Sequence, residues 1–237
     1  SQYGGDKGIF AYGYIGGESS LSNLVSNAGV VAADVTGVGT PRSYLAACSF
    51  GGDKAIFGFG NVAPATNLTN LVSNVGVVAT DTAGVGTARK ELAACEYGDD
   101  KALFGYGNTG SSSSLTNLVS NVGVVASDVT GVGTARKYLA ACTYGYDKGI
   151  FAYGDATTNI SNLVSNIGVV STDVSGVGTA RHGVAACGYS GDKGIFAYGY
   201  ISAVTNLSNL VSNAGVVATD VTGVGTARYE LAACSYN

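Results

Sequence analysis

The sequence predicts an all-β protein built from five similar units, and three observations carry that reading. A segment of the type Asp53-Lys54-Ala55-Ile56-Phe57-Gly58-Phe59-Gly60 recurs, starting at Asp6, Asp53, Asp100, Asp147 and Asp192, at spacings of 47, 47, 47 and 45 residues. Periods in the forties belong to propeller blades and helical solenoids. The unit shows no helical pattern; its apolar residues alternate or fall in short β-branched runs bounded by glycine.

The recurring segment reads as a strand. Phe57 and Phe59 are expected on one face and Ile56, Gly58 and Gly60 on the other, the period-2 pattern of a pleated chain. Equivalent pairs are Phe10 and Tyr12, Phe104 and Tyr106, Phe151 and Tyr153, Phe196 and Tyr198. A segment of changing length follows (residues 14–20, 61–66, 108–114, 155–158, 200–205), rich in Ser, Thr, Gly and Asn, and reads as an exposed loop.

Next comes Leu21-Ser22-Asn23-Leu24-Val25-Ser26-Asn27-Ala28-Gly29-Val30-Val31-Ala32 and its four near-copies. Gly29, Gly76, Gly123, Gly168 and Gly215 can take the left-handed conformation of a tight loop, which predicts strand, turn, strand. A helix over Leu-x-Asn-Leu-Val is too short before the glycine and too β-branched after it. The stretch Asp-Val-Thr-Gly-Val-Gly-Thr-Ala-Arg, as in Asp128 to Arg136, is read as the crossover. Tyr138-Leu139-Ala140-Ala141-Cys142-Thr143-Tyr144 then forms a strand of small side chains, suited to a place where strands converge.

Four short strands per unit are the content of one propeller blade, so the expectation is a single domain over residues 1–237, a five-bladed β-propeller with four-stranded blades. Ala-Ala-Cys is placed innermost and the Asn-x-Gly hairpin outermost. Residues 231–236 are an inner strand without its own blade, and pairing them with residues 7–13 would close the ring through its N- and C-terminal strands. A β-helix with two coils per repeat is the alternative architecture. Met is absent and the chain opens at Ser1 within a unit, which fits a removed initiator or a piece of a longer chain.

Ala135-Arg136-x-x-Leu139-Ala140-Ala141-Cys142 leading into Lys148-Gly149-Ile150-Phe151-Ala152-Tyr153-Gly154 resembles a kelch repeat, the galactose-oxidase type of blade. There an Arg precedes an apolar inner strand and the second strand ends in Gly-Gly. Here Tyr-Gly or Phe-Gly replaces Gly-Gly, and the chain has no Trp. The resemblance implies binding of a protein or a sugar.

Composition narrows the function. Charged residues make up 12% of the chain and the net charge is -4, so neither nucleic acid nor an anionic membrane is an expected partner, and no apolar run is long enough for membrane insertion. Each unit carries Asp-Lys, a second Asp (Asp34, Asp81, Asp128, Asp173, Asp220) and an Arg (Arg42, Arg89, Arg136, Arg181, Arg228), which cancel. The net charge comes from Glu18, Glu91, Glu96, Asp99, Asp155 and Glu230 against Lys90 and Lys137. The arginines read as pins between blades, paired with the repeated Asp or with loop carbonyls; an anion-binding ring at a channel mouth is the alternative.

Cys48, Cys95, Cys142, Cys187 and Cys234 occupy one position per unit and are read as free, small core residues. The single histidine, His182, cannot form a two-His copper site, and no catalytic motif accompanies it. The Gly-Val-Gly-Thr loops lack the helix and Lys of a phosphate cradle. No enzymatic activity, metal or cofactor is therefore expected, and the chain is expected to be monomeric.

Variation among the copies gathers in the first loop, at the two residues after Arg and around the Cys-to-Asp turn. Tyr14, Tyr44, Tyr138, Tyr200, Tyr229 and His182 are the candidate ligand-binding residues, since exposed tyrosine beside Ser, Asn and Gly composes adaptable recognition surfaces and sugar-stacking platforms. Surface drift produces the same variation. The expectation is a non-enzymatic binding module with a multivalent carbohydrate ligand. The alternative is a structural or protein-interaction ring, engineered or cut from a surface or fibre protein, with no small ligand.

Overall fold

A computed structural model describes residues 1–155 and 158–235, and it contains strands and no helix. Among the described residues, then, no helix is long and apolar enough to cross a membrane. The strands form five three-stranded antiparallel sheets. The first holds β1 (Gln2–Tyr3), β2 (Lys7–Tyr14) and β3 (Glu18–Val25); the second β4 (Ala46–Phe50), β5 (Lys54–Gly58) and β6 (Thr69–Val72). The third holds β7 (Ala93–Tyr97), β8 (Lys101–Asn108) and β9 (Ser112–Val119), and the fourth β10 (Ala140–Tyr144), β11 (Lys148–Ala152) and β12 (Ser161–Val164). The fifth holds β13 (Ala185–Tyr189), β14 (Lys193–Ala197) and β15 (Ser208–Val211). The Ala-Ala-Cys segments of all five units line one central cavity, which gives the array a five-fold arrangement.

Each sheet is three-stranded where four strands were expected. After the Asn-x-Gly turn, whose glycines take φ of 75–83°, the chain returns along the third strand but touches it only at single pairs such as Val72 with Val78 and Thr69 with Thr82. The buried Asn70 explains the break. Its side-chain amide donates to the Ala79 carbonyl at 2.9 Å, pulling the returning chain out of the ladder. Asn117, Asn162 and Asn209 do the same to Ala126, Ser171 and Ala218.

The aromatic pairs also depart from the alternation read in the sequence. Tyr12, Phe59, Tyr106, Tyr153 and Tyr198 have φ of 63–65°, so β5, β11 and β14 end just before them, and β2 and β8 continue only through a register shift. This left-handed residue turns the second ring away from the first. One aromatic therefore faces the preceding sheet and the other the following one: Tyr12 meets Phe57 at 5.4 Å, Phe59 meets Phe104 at 5.1 Å, Tyr106 meets Phe151 at 5.1 Å and Tyr153 meets Phe196 at 5.4 Å. Gly58 gives the same contact room, since a Cβ there would lie 2.6 Å from the Phe104 ring; the fourth sheet has Ala152 at this register, and its Tyr153–Phe196 pair is 5.4 Å apart.

The repeated Arg fills each seam. Arg42 lies 4.3 Å from the Tyr12 ring centroid, donates to Asn70 Oδ1 in the next sheet, and places Nη1 3.5 Å from Asp81 Oδ1. Arg89, Arg136 and Arg181 repeat this with Phe59, Tyr106 and Tyr153 and with Asp128, Asp173 and Asp220. All four guanidinium side chains are 0–1% exposed. The carboxylate ties the crossover as well: Thr40 donates to Asp81 through its amide at 2.9 Å and its hydroxyl at 2.6 Å.

The junction between the fifth and first sheets is different. Arg228 stacks on Tyr198 at 4.1 Å but is exposed, and Phe10 is 47% exposed where Phe57 is 4%. Asp34 keeps the Asn bond of the other sheets at 2.8 Å but has no arginine within ion-pair distance among the described residues. Nor do residues 231–235 pair as a strand. The inner edge of β2 is taken instead by β1, with Gln2 opposite Gly8 and Tyr3 opposite Lys7, and Gln2 Nε2 donates to the Ser235 carbonyl at 3.0 Å. Tyr236 of the expected closing strand lies outside the described residues, as do Ala156 and Thr157 of the fourth loop.

Two outcomes follow. Substituting Arg89 by Ala strips the stacked cation and leaves Asp128 without its partner; urea unfolding is expected to show a loss of about 3 kcal/mol or more, and a change under about 1 kcal/mol would refute the role given to the clamp. The carboxyls of Asp81, Asp128, Asp173 and Asp220 are pulled upward by burial, but hydrogen bonds from the preceding crossover Thr and from the sheet's Asn, with the Arg, hold them below the ordinary range. A depressed folded-state value contributes stability that is complete above the unfolded value, about 3.9, and is lost as pH falls through the folded one. Acid unfolding should therefore steepen below about pH 4, and Asp128→Asn should flatten that slope.

Candidate functional site

The central cavity has two ends of different chemistry. At one end the inner strands alternate, with Ala46, Cys48 and Phe50 packed between sheets while Ala47 and Ser49 face the cavity. This end is narrow, about 110 Å³, and its charged residue is Glu96, whose carboxyl is pushed up by burial against a hydrogen bond with Ser49. The thiols do not all sit in a core. Cys48, Cys95 and Cys142 are buried, Cys187 is half-buried and Cys234 is exposed, because no sheet covers residues 232–234. Burial raises the thiol pKa of Cys48, Cys95 and Cys142 well above the usual value.

The other end is a mouth of about 160 Å³, lined by two consecutive residues from each unit. Leu45, Leu92, Leu139, Val184 and Leu231 form its apolar floor; Tyr44, Glu91, Tyr138, Gly183 and Glu230 form its rim. Every rim residue is left-handed, with φ of 52–62°. That conformation lets each rim amide reach the carbonyl of the preceding unit: Glu91 to Tyr44 at 2.9 Å, Tyr138 to Glu91 at 3.0 Å, Gly183 to Tyr138 at 2.9 Å and Glu230 to Gly183 at 2.9 Å. A backbone ladder thus runs from unit to unit around the mouth, and the side chains it carries are free to differ.

Five of the six aromatic residues singled out in the sequence belong to this end. Tyr44 and Tyr138 line the mouth. Tyr138, His182, Tyr200 and Tyr229 form a continuous run with ring centroids 6.1, 5.4 and 5.5 Å apart. Tyr14 stays outside, 69% exposed and without such a ring contact. Glu91 and Glu230 were not picked out as site residues, although they share the register of Tyr44 and Tyr138; that shared register was the signal for them.

Polar groups on the rim are unevenly satisfied. Glu91 is almost fully buried; its Oε2 accepts from Asn108 Nδ2 at 2.9 Å and lies 3.7 Å from Lys137 Nζ. The Tyr138 hydroxyl is raised by burial and then by its hydrogen bond to Glu91. Burial raises the Tyr44 hydroxyl too, and the negative charge of Glu230 adds to it. Among the described residues no group of three or more His, Cys, Asp or Glu is gathered to hold a metal ion. No protein-family model and no curated protein matches the chain.

Thiol accessibility reads out this arrangement. With an aromatic disulfide reagent, Cys234 should react first and Cys187 more slowly, while Cys48, Cys95 and Cys142 should react only on unfolding. Cys234→Ser should remove the fast phase; five equal rates would contradict the burial pattern.

Proposed function

We propose that the protein is a non-enzymatic binding ring, a kelch-like five-bladed propeller whose fifth seam closes through the C-terminal inner strand, and that it holds a saccharide at its tyrosine mouth. The observation that carries the reading is the convergence of Tyr44 and Tyr138 on a concave apolar floor edged with carboxylates, with the His182, Tyr200 and Tyr229 rings running on from Tyr138. Aromatic faces match the apolar C–H faces of a pyranose, and the carboxylates can accept its hydroxyls. Four of the five seams, where one glycan per blade would otherwise bind, are filled by the buried arginines.

A second reading has its own support. The hairpin tips expose apolar pairs, including Val75 at 70%, Val122 at 70% and Ile167 at 73%, as a surface that meets another protein does.

The two readings separate in a glycan titration followed by tyrosine fluorescence, the chain having no Trp. A saccharide bound at the mouth should saturate at one per chain, and Tyr44→Ala and Tyr229→Ala should each weaken it about ten-fold, near the worth of one stacked ring. Saturation near five per chain would return the site to the seams. Absence of binding across an array would favour the protein-interaction reading.

A further inference from the structure

The rim contains one internal ammonium site and, at a second position, the same pair of side chains with the ammonium-bearing residue exchanged for serine. Lys137 Nζ lies 3.7 Å from Glu91 Oε2 and 5.5 Å from the Tyr138 ring centroid, so a protonated amine is already held between a carboxylate and a tyrosine face. Glu91 and Tyr138 are neighbours in the backbone ladder, and Lys137 is the residue just before that Tyr.

The two ends of the ladder carry the same residue pair, without the backbone bond that joins Glu91 and Tyr138. Glu230 closes it on one side, Tyr44 opens it on the other, and both line the same mouth. The residue before Tyr44 is Ser43. Ser43 is 4% exposed and its hydroxyl is buried without a hydrogen-bond partner. No lysine or arginine among the described residues is within ion-pair distance of Glu230. Lys137 faces Glu91, Lys90 donates to Asn61 at 3.2 Å, and Arg228 is stacked on Tyr198.

We propose that Glu230 and Tyr44 receive a protonated primary amine from the ligand, in the place that Lys137 fills for Glu91 and Tyr138. This deepens the saccharide reading, on which it rests, by assigning the ligand class: an amino sugar with a free amine. The ammonium donates to the Glu230 carboxylate and lies over the Tyr44 ring, while the sugar body packs on the leucine floor. A carboxylate beside an aromatic face attracts a cation through both charge and ring quadrupole. An anionic ligand would meet Glu230 and Glu91 with both nearby lysines already engaged.

The test compares three probes on the full chain: a trimer of 2-amino-2-deoxyglucose at pH 6, its N-acetylated counterpart, and n-butylamine. The free-amine trimer should bind about ten-fold tighter than the acetylated one, as an added cation–π contact and charge-assisted hydrogen bond imply. Glu230→Gln should abolish that preference. Ser43→Lys should block amine binding by supplying the ammonium internally. Lys137→Ser should open the second position and raise stoichiometry from one to two, which keeps the test decisive if Ser43→Lys fails to fold. Equal affinity for both trimers, or a preference that survives Glu230→Gln, overturns the amine assignment and leaves the saccharide reading standing. Binding of n-butylamine with neither trimer bound, lost in Glu230→Gln, supports the ammonium site and removes the saccharide reading. Binding of none of the three overturns both.

Discussion

The structure depends on a guanidinium held between sheets. Burying a positive charge is costly unless it is paired. Here one face is covered by the aromatic ring of the preceding sheet, one Nη donates to the Asn of the following sheet, and the other donates to the Thr carbonyl of its own crossover and faces the Asp. Nε donates to the Tyr198 carbonyl in Arg181 and is buried without a partner in Arg42, Arg89 and Arg136. A planar fork can meet a ring, an amide and a carboxylate at once; a lysine could meet only one or two of them. The clamp therefore dictates much else: an aromatic in the second strand, an Asn at the third strand, and an Asp after the hairpin. It also accounts for the neutrality of the template, because each buried cation brings its own anion.

The fifth junction shows what happens where the clamp is not engaged. Arg228 keeps its ring but not its Asn and Asp; Asp34 and Asn23 stay bonded to each other, as the Asn–Asp pairs of the other sheets are, but without a guanidinium. Without the guanidinium to bring the sheets together, Phe10 stays half exposed and residues 232–234 lie open. The first sheet's inner edge is claimed by two segments of similar register. Gln2 sits opposite Gly8 as Ser49 sits opposite Ala55, and Ser235 occupies the Ser49 position in the repeat. One edge accepts one strand, so the occupancy of that edge and the state of the seam are coupled.

Much of this was legible in the sequence because it is periodic. The repeat, the strand content, the glycine turns and the small inner strand all leave marks that a single chain displays five times. What could not be read are features in which a side chain overrides the backbone pattern. Phe57 and Phe59 look like neighbours on one face because alternation assumes extended backbone, and a left-handed φ of 64° at Phe59 breaks that assumption. The hairpin's return segment looks like a strand because its valines suit one, but the Asn70 amide takes a ladder carbonyl. The mouth was half legible. Its tyrosines stood out by residue type, whereas Glu91 and Glu230 became site residues only once the ladder put all five rim positions around one cavity.

Backbone strain falls on two sets of positions in the unit, the clamp's aromatic and the rim. A non-glycine residue in the left-handed region costs about 1–2 kcal/mol relative to its usual conformations, and glycine avoids that cost. Two sets of positions bear it in nearly every unit. At Tyr12, Phe59, Tyr106, Tyr153 and Tyr198 the reason is visible, since a glycine there would leave the clamp's guanidinium without its ring. In the rim set, Glu91 uses its side chain within the fold, accepting from Asn108 and facing Lys137, whereas Tyr44, Tyr138 and Glu230 are not required by the ladder. The ladder is made by backbone amides and carbonyls alone, and Gly183 makes it as well as its neighbours do at 2.9 Å. Gly183 meets the backbone requirement of the ladder without strain, so Tyr44, Tyr138 and Glu230 bear a strain that the ladder itself does not ask for, at the positions the proposed binding would use.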